Sequence, residues 1–406
     1  MQTLNLIKKY KTYPEYKDSG VEWLGKIPKE WTVASSRRLF TTEKEQVGSS
    51  FADYKILSLT LRGVIPRVLD GSGKNPAEYD TYQVFKKDDL VFCLFDYDVT
   101  PRTIGYVEEN GMLTGAYTRL IPREETFSKY FYYYFLSLDY TKELLHLCTG
   151  LRNSISKPLF WSMKSPLPDI QIQEKIANYL DEKTSSIDQI IEKKEKQIEL
   201  LKEEIVSIAM NEQKSGKGET VRLRNLFKLA EKPINIEDYS EYTALGLYNR
   251  GRGLFHKDPQ LGKDIKESDF YKVLPRDLII SGQFAWEGAV ALASKDESEC
   301  VVSHRYYLLR DGLVKTEYLL ALLITKFGDH LLNESSRGSA GRNKPLNIKI
   351  LLSEKIRIPS KDVEEGVESL LIKMNSIRNN IKISIKLLEE FKSSLISSAV
   401  TGKIRI

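Results

Sequence analysis

Two Arg-Gly pairs, Arg62-Gly63 and Arg250-Gly251, carry the most informative chemistry in this sequence, and they lie 188 positions apart. A guanidinium group can donate two parallel hydrogen bonds to guanine O6 and N7, and Asn or Gln can pair with adenine N6 and N7. A glycine beside such a residue lets the backbone approach a ligand closely. These residue types predict contact with nucleic acid.

Further candidates for contact with bases or phosphates lie in loops of both halves of the chain. Two of these loops, 151–157 (LRNSISK) and 335–345 (SSRGSAGRNKP), are basic and polar. For any single arginine, the alternative interpretation is a solvated surface charge. Tyr97 and Trp286 occupy similar loop positions, and core packing is the favoured interpretation for both. The predicted DNA-binding residues are Arg62, Arg67, Arg102, Arg119, Arg152, Asn153, Arg250, Arg252, Gln283, Arg305, Arg337, Arg342, Asn343 and Lys344.

The sequence predicts no catalytic group. A methyltransferase needs a glycine-rich cofactor loop and an Asn-Pro-Pro-type pocket, and neither motif occurs. The 4 histidines and 3 cysteines lack the spacing of metal ligands or of a disulfide framework, so we expect no metal and no cofactor on this chain. The net charge of +5 is compatible with a nucleic-acid partner but is also common among other proteins.

No run of 18 apolar residues is present, and the first residues lack the apolar region of a signal peptide. We therefore expect a soluble protein of the cytoplasm with no membrane partner.

The elements that must position the candidate residues include two long helices. The stretch 172–210 contains neither Gly nor Pro, and its apolar residues recur at alternating steps of three and four. This spacing is that of a coiled-coil seam, and the stretch 363–400 repeats it. The predicted seam and partner-binding residues are Ile187, Ile191, Ile198, Leu201, Ile205, Ile377, Ile381, Leu388, Phe391 and Leu395.

The sequence also contains an internal repeat. A constant shift of 188 positions aligns residues without gaps over a long span. The matched pairs include Val33/Val221, Tyr54/Tyr242, Leu57/Leu245, Asp89/Asp277, Leu120/Leu308 and Tyr130/Tyr318. Each repeat therefore consists of a globular domain followed by a long helix.

Within the globular parts, short apolar runs predict strands at 54–59, 90–95, 113–121, 278–280, 289–293 and 301–309. Amphipathic patterns predict helices at 129–147 and 317–333. The expected fold class is α+β, with two similar domains joined by two long antiparallel coiled-coil helices in a pseudo-two-fold internal duplication. The expected segments are 1–168 and 215–360 for the two domains, and 169–214 and 361–406 for the two helices.

Three stretches resemble the specificity (HsdS) subunit of type I restriction–modification systems. They are YPEYKDSGVEWLGKIPKEW at 13–31, LPDIQIQEKIANYLDEKTSSIDQIIEKKEKQIELLKEE at 167–204, and LLEEFKSSLISSAVTGKI at 387–404. The resemblance implies two target-recognition domains, each binding one half of a split site in double-stranded DNA. It also implies that the helices set the spacer and dock two methyltransferase (HsdM) subunits, which motor–nuclease (HsdR) subunits join.

By this resemblance the chain is a non-catalytic recognition subunit, and S-adenosylmethionine, ATP and Mg²⁺ belong to its partner subunits. Two alternatives stay open. The first is the specificity subunit of a type IIB or type IIG-like restriction–methylation enzyme, which would share this architecture. The second is a coiled-coil scaffold whose two domains bind proteins and not DNA.

Overall fold

The computed structural model describes residues 10–67, 79–230, 232–265, 268–338 and 344–406. It combines helices and strands, and the contacts between residues divide the chain into two compact units. Unit 1 consists of Met1–Glu192 and Ile383–Ile406, and unit 2 consists of Lys193–Lys382.

Among its described residues, unit 1 contains twelve strands and three helices of its own. The strands are β1 (Tyr16–Asp18), β2 (Lys26–Pro28), β3 (Thr32–Ser35), β4 (Phe40–Thr41), β5 (Leu57–Thr60), β6 (Gly63–Pro66), β7 (Gln83–Phe85), β8 (Leu90–Phe92), β9 (Ile104–Tyr106), β10 (Gly111–Leu113), β11 (Thr118–Pro122) and β12 (Lys164–Leu167). The helices are α1 (Ser36–Leu39), α2 (Ser128–Thr141) and α3 (Lys157–Ser162).

The main sheet of unit 1 is antiparallel, with the strand order β4-β11-β8-β9. Strand β8 is buried on both faces: Leu90 and Phe92 enter the large core, and Val91 enters a smaller core on the other side. Such a strand is a continuous apolar run because it has no solvated face. Helix α2 covers one face with aromatic side chains, of which Phe135 meets Phe92 edge to face at 5.3 Å.

Unit 2 is built from a corresponding set of elements. Its strands are β13 (Thr220–Arg222), β14 (Phe227–Leu229), β15 (Glu241–Tyr242), β16 (Leu245–Leu247), β17 (Leu254–His256), β18 (Gln260–Leu261), β19 (Phe270–Lys272), β20 (Leu278–Ser281), β21 (Val290–Leu292), β22 (Val301–Ser303), β23 (Tyr306–Asp311) and β24 (Lys355–Arg357). The long helix α4 (Ile170–Lys214) precedes these strands, and the long helix α10 (Lys361–Val400) follows them. Five shorter helices lie among the strands: α5 (Leu223–Leu226), α6 (Gly262–Ile265), α7 (Thr316–Leu323), α8 (Lys326–Glu334) and α9 (Ile348–Ser353).

The main sheet of unit 2 has the order β14-β23-β20-β21, which is the order found in unit 1. The smaller pairs also correspond, since β3 pairs with β12 as β13 pairs with β24, and β7 pairs with β10 as β19 pairs with β22. The strand topology therefore agrees with an internal duplication.

The constant shift between the two repeats is wrong in detail. The starts of β8 and β20 differ by the predicted shift, and so do the starts of α2 and α7. However, the offset from β9 to β21 is slightly smaller than this shift, and the offset from β6 to β17 is slightly larger. Loops between strands tolerate such insertions and deletions because the sheet does not depend on their length.

Three predicted elements are divided in the structure. The predicted strand 113–121 is the end of β10 and most of β11, and 301–309 is β22 followed by β23. The predicted helix 129–147 ends at Thr141, because Lys142 adopts a left-handed conformation with φ 51°, and a 3-10 turn follows. The predicted helix 317–333 is α7 followed by α8, with Thr325 capping the second helix.

The two long helices extend slightly beyond the seam stretches 172–210 and 363–400, with 45 residues in α4 and 40 in α10. Helix α10 ends at Val400, before the end of the expected segment 361–406. In unit 1, Leu180 of α4 and Ala399 of α10 share one core, and Asp188 accepts a 2.7 Å hydrogen bond from Lys392. In unit 2, Ile205 of α4 and Leu371 of α10 share another core. All ten predicted seam residues are buried or half-buried.

Each unit attaches the helix that follows its main sheet to a long helix through a buried tyrosine. In unit 1, Tyr130 of α2 donates a 2.8 Å hydrogen bond to the Val400 carbonyl of α10. In unit 2, Tyr318 of α7 accepts a 2.8 Å hydrogen bond from the Gln213 amide of α4. Equivalent tyrosines of the two repeats thus contact the C-terminal ends of different long helices.

Candidate nucleic-acid interface

In unit 2, one loop brings several predicted DNA-contacting residues together. This loop, 282–288, follows β20 and is here called loop L2. The Gly282 amide donates a 2.7 Å hydrogen bond to the Arg305 carbonyl, and the Leu346 amide donates a 2.8 Å bond to the Gly282 carbonyl. Gln283 and Arg305 are exposed at this junction. Loop L2 therefore joins three chain segments that are distant in sequence.

The Arg250-Gly251 pair attaches to the other end of loop L2. The amides of Arg250 and Gly251 donate hydrogen bonds of 2.9 and 2.8 Å to the carbonyls of Glu287 and Gly288. Both residues of the pair are left-handed, with φ 59° and 61°. Gly251 accommodates the left-handed backbone of this turn. The exposed Arg250 side chain lines a cleft together with Trp286.

Aromatic rings accompany the cations of unit 2. The Lys344 ammonium lies 5.6 Å from the centroid of the Trp286 ring, and the Arg252 guanidinium lies 5.4 Å from that of Tyr248. Phe284 on loop L2 is exposed. Rings with accessible faces can stack on bases, and cations beside them can hold phosphates.

The basic loop at 335–345 is described only in part. The Arg337 amide donates a 3.3 Å hydrogen bond to the Pro345 carbonyl, and the Arg337 side chain is exposed. Arg342 and Asn343 lie outside the described residues.

Unit 1 has a corresponding loop, 94–100, here called loop L1. The amides of Asp96 and Tyr97 donate hydrogen bonds of 2.7 and 3.2 Å to the carbonyls of Arg152 and Asn153. The basic loop at 151–157 is therefore attached to loop L1 through its backbone. Tyr97 is fully buried, as the core interpretation predicted.

The Arg152 guanidinium is oriented by two groups, a carboxylate and an aromatic ring. Its Nε donates a 2.9 Å hydrogen bond to Asp96 Oδ1, and its Nη2 donates to Asp96 Oδ2. The guanidinium also lies 4.8 Å from the Phe95 ring centroid, and Phe95 in turn stacks on Tyr117. These hydrogen bonds hold the pKa of Asp96 below its usual range. The terminal Nη1–Nη2 edge of Arg152 points away from this carboxylate contact and has the geometry that fits guanine O6 and N7.

Arg119 and Arg102 are better explained as structural residues than as DNA contacts. The Arg119 side chain is only 3% exposed, and its Nε donates a 2.6 Å hydrogen bond to Asp89. Arg102 is nearly buried against Asp139 at 3.4 Å, a carboxylate that also accepts hydrogen bonds from Thr103. A guanidinium held inside the protein by a carboxylate presents no edge to a base.

Arg62 and Arg67 do not join the Arg152 cluster. Arg62 is exposed and lines a cleft of about 510 Å³ between the β6 turn, α2 and α4. The charged residues of this cleft besides Arg62 are Lys129, Glu108, Asp181, Asp188 and Glu192. Four carboxylates make the cleft less attractive to a phosphate backbone. Arg67 is half-buried at the end of β6, where its amide donates a 2.8 Å hydrogen bond to the Ile56 carbonyl.

The structure adds Phe95, Asp96 and Phe284 to the candidate sites. Asp96 was not predicted because an acidic residue by itself opposes phosphate binding. Its significance comes from its bond to Arg152, which lies 56 residues further along the chain.

Comparison with known proteins agrees with a role in DNA recognition. A family model described as the type I restriction modification DNA specificity domain matches residues 57–200. This match covers less than half of the chain and supports a role in DNA sequence specificity. Neither the type IIB or IIG-like enzyme nor the non-DNA scaffold is favoured. No curated protein sequence matches this chain.

Three solved structures align with almost the whole of this chain. One, from work on complex assembly and conformational transition of the type I R-M system, is 13% identical, with a TM-score of 0.58, and covers 92% of this chain and 98% of its own. The HsdS subunit from Thermoanaerobacter tengcongensis is 13% identical, with a TM-score of 0.45 and coverages of 93% and 98%. The S subunit from M. genitalium is 13% identical, with a TM-score of 0.49 and coverages of 91% and 96%. The first of these likenesses supports the fold alone.

Two further observations concern the described ranges of the chain. No helix within them is both long and apolar enough to cross a lipid bilayer. In the same ranges, no group of three or more His, Cys, Asp and Glu side chains is arranged to hold a metal ion.

Proposed function

We propose that each unit binds one half of an asymmetric, bipartite site in double-stranded DNA. The observation that carries the proposal is the pair of loops L1 and L2, which follow equivalent strands and each organise a basic loop and aromatic rings. One such surface in each repeat suits a target with two recognised parts.

The two half-sites differ in sequence because the two surfaces differ in chemistry. Unit 1 presents Arg152, which is oriented by Asp96 and Phe95. Unit 2 presents Gln283 and Arg305 beside Trp286 and Lys344. A forked guanidinium favours guanine, and a glutamine amide favours adenine, so the two surfaces select different bases.

The recognition domains in this proposal are segments 1–168 and 215–360, and segments 169–214 and 361–406 supply the helices. The helices α4 and α10 form an antiparallel coiled coil that sets the unread spacer between the half-sites. Support comes from the shared cores of the two helices within each unit and from their buried seam residues. Exposed faces of the same helices dock two methyltransferase (HsdM) subunits, and motor–nuclease (HsdR) subunits join this core.

This specificity chain contributes recognition and no catalysis. S-adenosylmethionine, ATP and Mg²⁺ act on the partner subunits, where the target adenine is flipped and methylated. Assembly takes place in the cytoplasm, where the host DNA is available.

Sequencing of methylated adenines in a host with and without this gene tests the proposal. We expect a gene-dependent motif of two unlike half-sites separated by a spacer of constant length. A contiguous or symmetric motif would contradict two independent units. The absence of any gene-dependent motif, together with DNA binding by the assembled complex that ignores sequence, would contradict the specificity role itself.

Lengthening the coiled coil tests the spacer role separately. Insertion of one heptad into α4 between Ile187 and Ile208, with a matching heptad in α10, should change the spacer length and leave both half-sites unchanged. A matched control inserts seven residues into the 215–219 link between α4 and β13, which should leave the spacer unaltered. An unchanged spacer length in the heptad variant would contradict the proposal that the coiled coil sets the spacer.

A further inference from the structure

Loop L1 and the neighbouring basic loop form two tight turns that lie side by side. In the first turn, the Thr100 amide donates a 2.8 Å hydrogen bond to the Asp96 carbonyl. In the second, the Asn153 amide donates a 3.2 Å bond to the Gly150 carbonyl. The Asp96–Arg152 backbone bond of 2.7 Å connects the two turns.

Each turn exposes one branched aliphatic side chain. Leu151 is fully exposed, and Val99 is 73% exposed. Neither side chain contributes to the cores of unit 1. Leu151 immediately precedes Arg152, and Val99 follows Asp96 by three residues, so both lie within the turns that hold the oriented guanidinium.

Both turns are held in place before any ligand arrives. The Lys142 ammonium donates a 2.7 Å hydrogen bond to the Thr100 carbonyl. Thr149 and Ser154 exchange two backbone hydrogen bonds of 2.9 and 3.0 Å across the base of the second turn. Pre-formed turns present Val99 and Leu151 without a further cost of ordering, which favours a binding role.

We propose that Val99 and Leu151 contact the 5-methyl groups of thymines that neighbour the guanine bound by Arg152. The inference rests on the proposed function and specifies what unit 1 recognises. The thymine methyl group is the apolar feature among the base edges of the major groove, so it is the part of the DNA that an aliphatic side chain can distinguish. The half-site of unit 1 therefore combines guanine with thymine.

Replacing thymine by deoxyuridine removes this methyl group and leaves base pairing unchanged. The complex with its methyltransferase subunits is titrated with duplexes that carry the whole target, in which thymines of one half-site are replaced singly. In the half-site of unit 1, identified through Arg152→Ala, we expect binding to weaken about fourfold for each contacted thymine. Replacements in the other half-site should change binding by the same amount whether or not unit 1 carries a substitution.

The variant Leu151→Ala should bind thymine and deoxyuridine duplexes equally at the affected position, and Val99→Ala should do so at a second position. The matched control is Leu313→Ala, because Leu313 is a 74% exposed leucine in a turn of unit 2. This control should keep the preference of the wild-type complex for thymine.

Three results would overturn the inference. The first is equal binding of thymine and deoxyuridine duplexes by the wild-type complex while Arg152→Ala still abolishes recognition, which leaves the proposed function intact. The second is an equal loss of affinity for the thymine and deoxyuridine duplexes in Leu151→Ala, which indicates that the Leu151 side chain inserts between bases. The third is loss of the methyltransferase subunits in Leu151→Ala, which indicates a protein contact. Binding without any sequence dependence is a different outcome and contradicts the proposed function.

Discussion

Asp89 and Arg119 form a buried ion pair inside unit 1, with 2.6 Å between Oδ2 and Nε. Asp89 also accepts a 2.6 Å hydrogen bond from the Lys86 amide. In unit 2, Asp277 accepts the corresponding bond from the Leu274 amide at 2.9 Å, but its ionic partner is Arg310. The shift of 188 would place Tyr307 at this position, so the two units share the ion pair and the turn but not the residue that supplies the cation.

The Asp89–Arg119 pair leads to the first prediction. Asp89→Asn should lower the free energy of unfolding by about 3 kcal/mol, because buried Arg119 would lose its closest carboxylate and keep only Glu45 at 3.6 Å. Urea denaturation followed by circular dichroism measures the change. Asp277→Asn is the matched comparison and should cost about 1–3 kcal/mol, because the Arg310 side chain is 36% exposed and can be hydrated. Equal losses in the two variants would contradict the importance of burial.

The second prediction concerns the arginines that face DNA. Arg152→Ala should weaken recognition of one half-site by about 1–3 kcal/mol, and Arg250→Ala should do the same at the other half-site. Competition between cognate and mismatched duplexes at fixed salt measures the effect on the assembled complex. Asp96→Asn should cause a smaller loss than Arg152→Ala at the same half-site, because the guanidinium remains but is less firmly oriented.

Exposed arginines elsewhere serve as controls for this prediction. Arg37→Ala changes an exposed arginine of α1 and should leave both half-sites unaffected. We expect Arg62→Ala to have less effect than Arg152→Ala, since four carboxylates share its cleft. A larger effect of Arg62 than of Arg152 would show that unit 1 binds DNA through the β6 turn and not through loop L1.

The third prediction concerns the tyrosines that attach α2 and α7 to the long helices. Tyr130→Phe should destabilise the protein by about 1–2 kcal/mol, because the buried Val400 carbonyl loses its 2.8 Å hydrogen bond. Tyr318→Phe should have a similar effect through Gln213. Thermal unfolding measures both changes, with Tyr140→Phe, an exposed tyrosine of α2, as the control. Melting temperatures equal to that of the control would contradict these attachments.

The fourth prediction concerns pH and the contact between α7 and α10. Hydrogen bonds from Lys315, together with Arg276, lower the pKa of Glu368 below its ordinary value of 4.5. A depressed pKa stabilises the folded state above pH 4.5, and this contribution disappears as the pH falls through the folded-state value. Glu368→Gln should therefore cost about 1 kcal/mol at pH 7, and the difference from wild type should shrink on acidification below pH 4.5.

Chemical denaturation from pH 7 down to about pH 3, well below the ordinary glutamate pKa, measures the two curves. Glu365→Gln is the matched control, because Glu365 is an exposed glutamate on the same turn of α10. A difference that stays constant to the lowest pH would indicate that hydrogen bonding, and not charge, accounts for the contribution of Glu368.

Local patterns in the sequence were sufficient for the long helices and for the central strands of the two main sheets. The seam spacing at 172–210 and 363–400 predicted α4 and α10 with ends only a few residues short. Helical and strand periodicity depends on residues close in sequence, so the long helices and the longer apolar strands could be predicted from their own segments. The short strands and one-turn helices were not predicted, because they are too short to show a period. Buried strands such as β8 could be predicted for the same reason, because they are continuous apolar runs between turns.

The sequence by itself determined the repeated plan, the long helices and the kinds of residue available for DNA. Only the tertiary structure decided which arginines are placed where they could contact DNA. Arg119 and Arg152 look alike in sequence, yet one is buried against Asp89 and the other is held at the surface by Asp96. The cost of burying a guanidinium depends on whether a carboxylate lies beside it. In both cases the fold brings that carboxylate from a distant segment, so no local pattern distinguishes the two arginines.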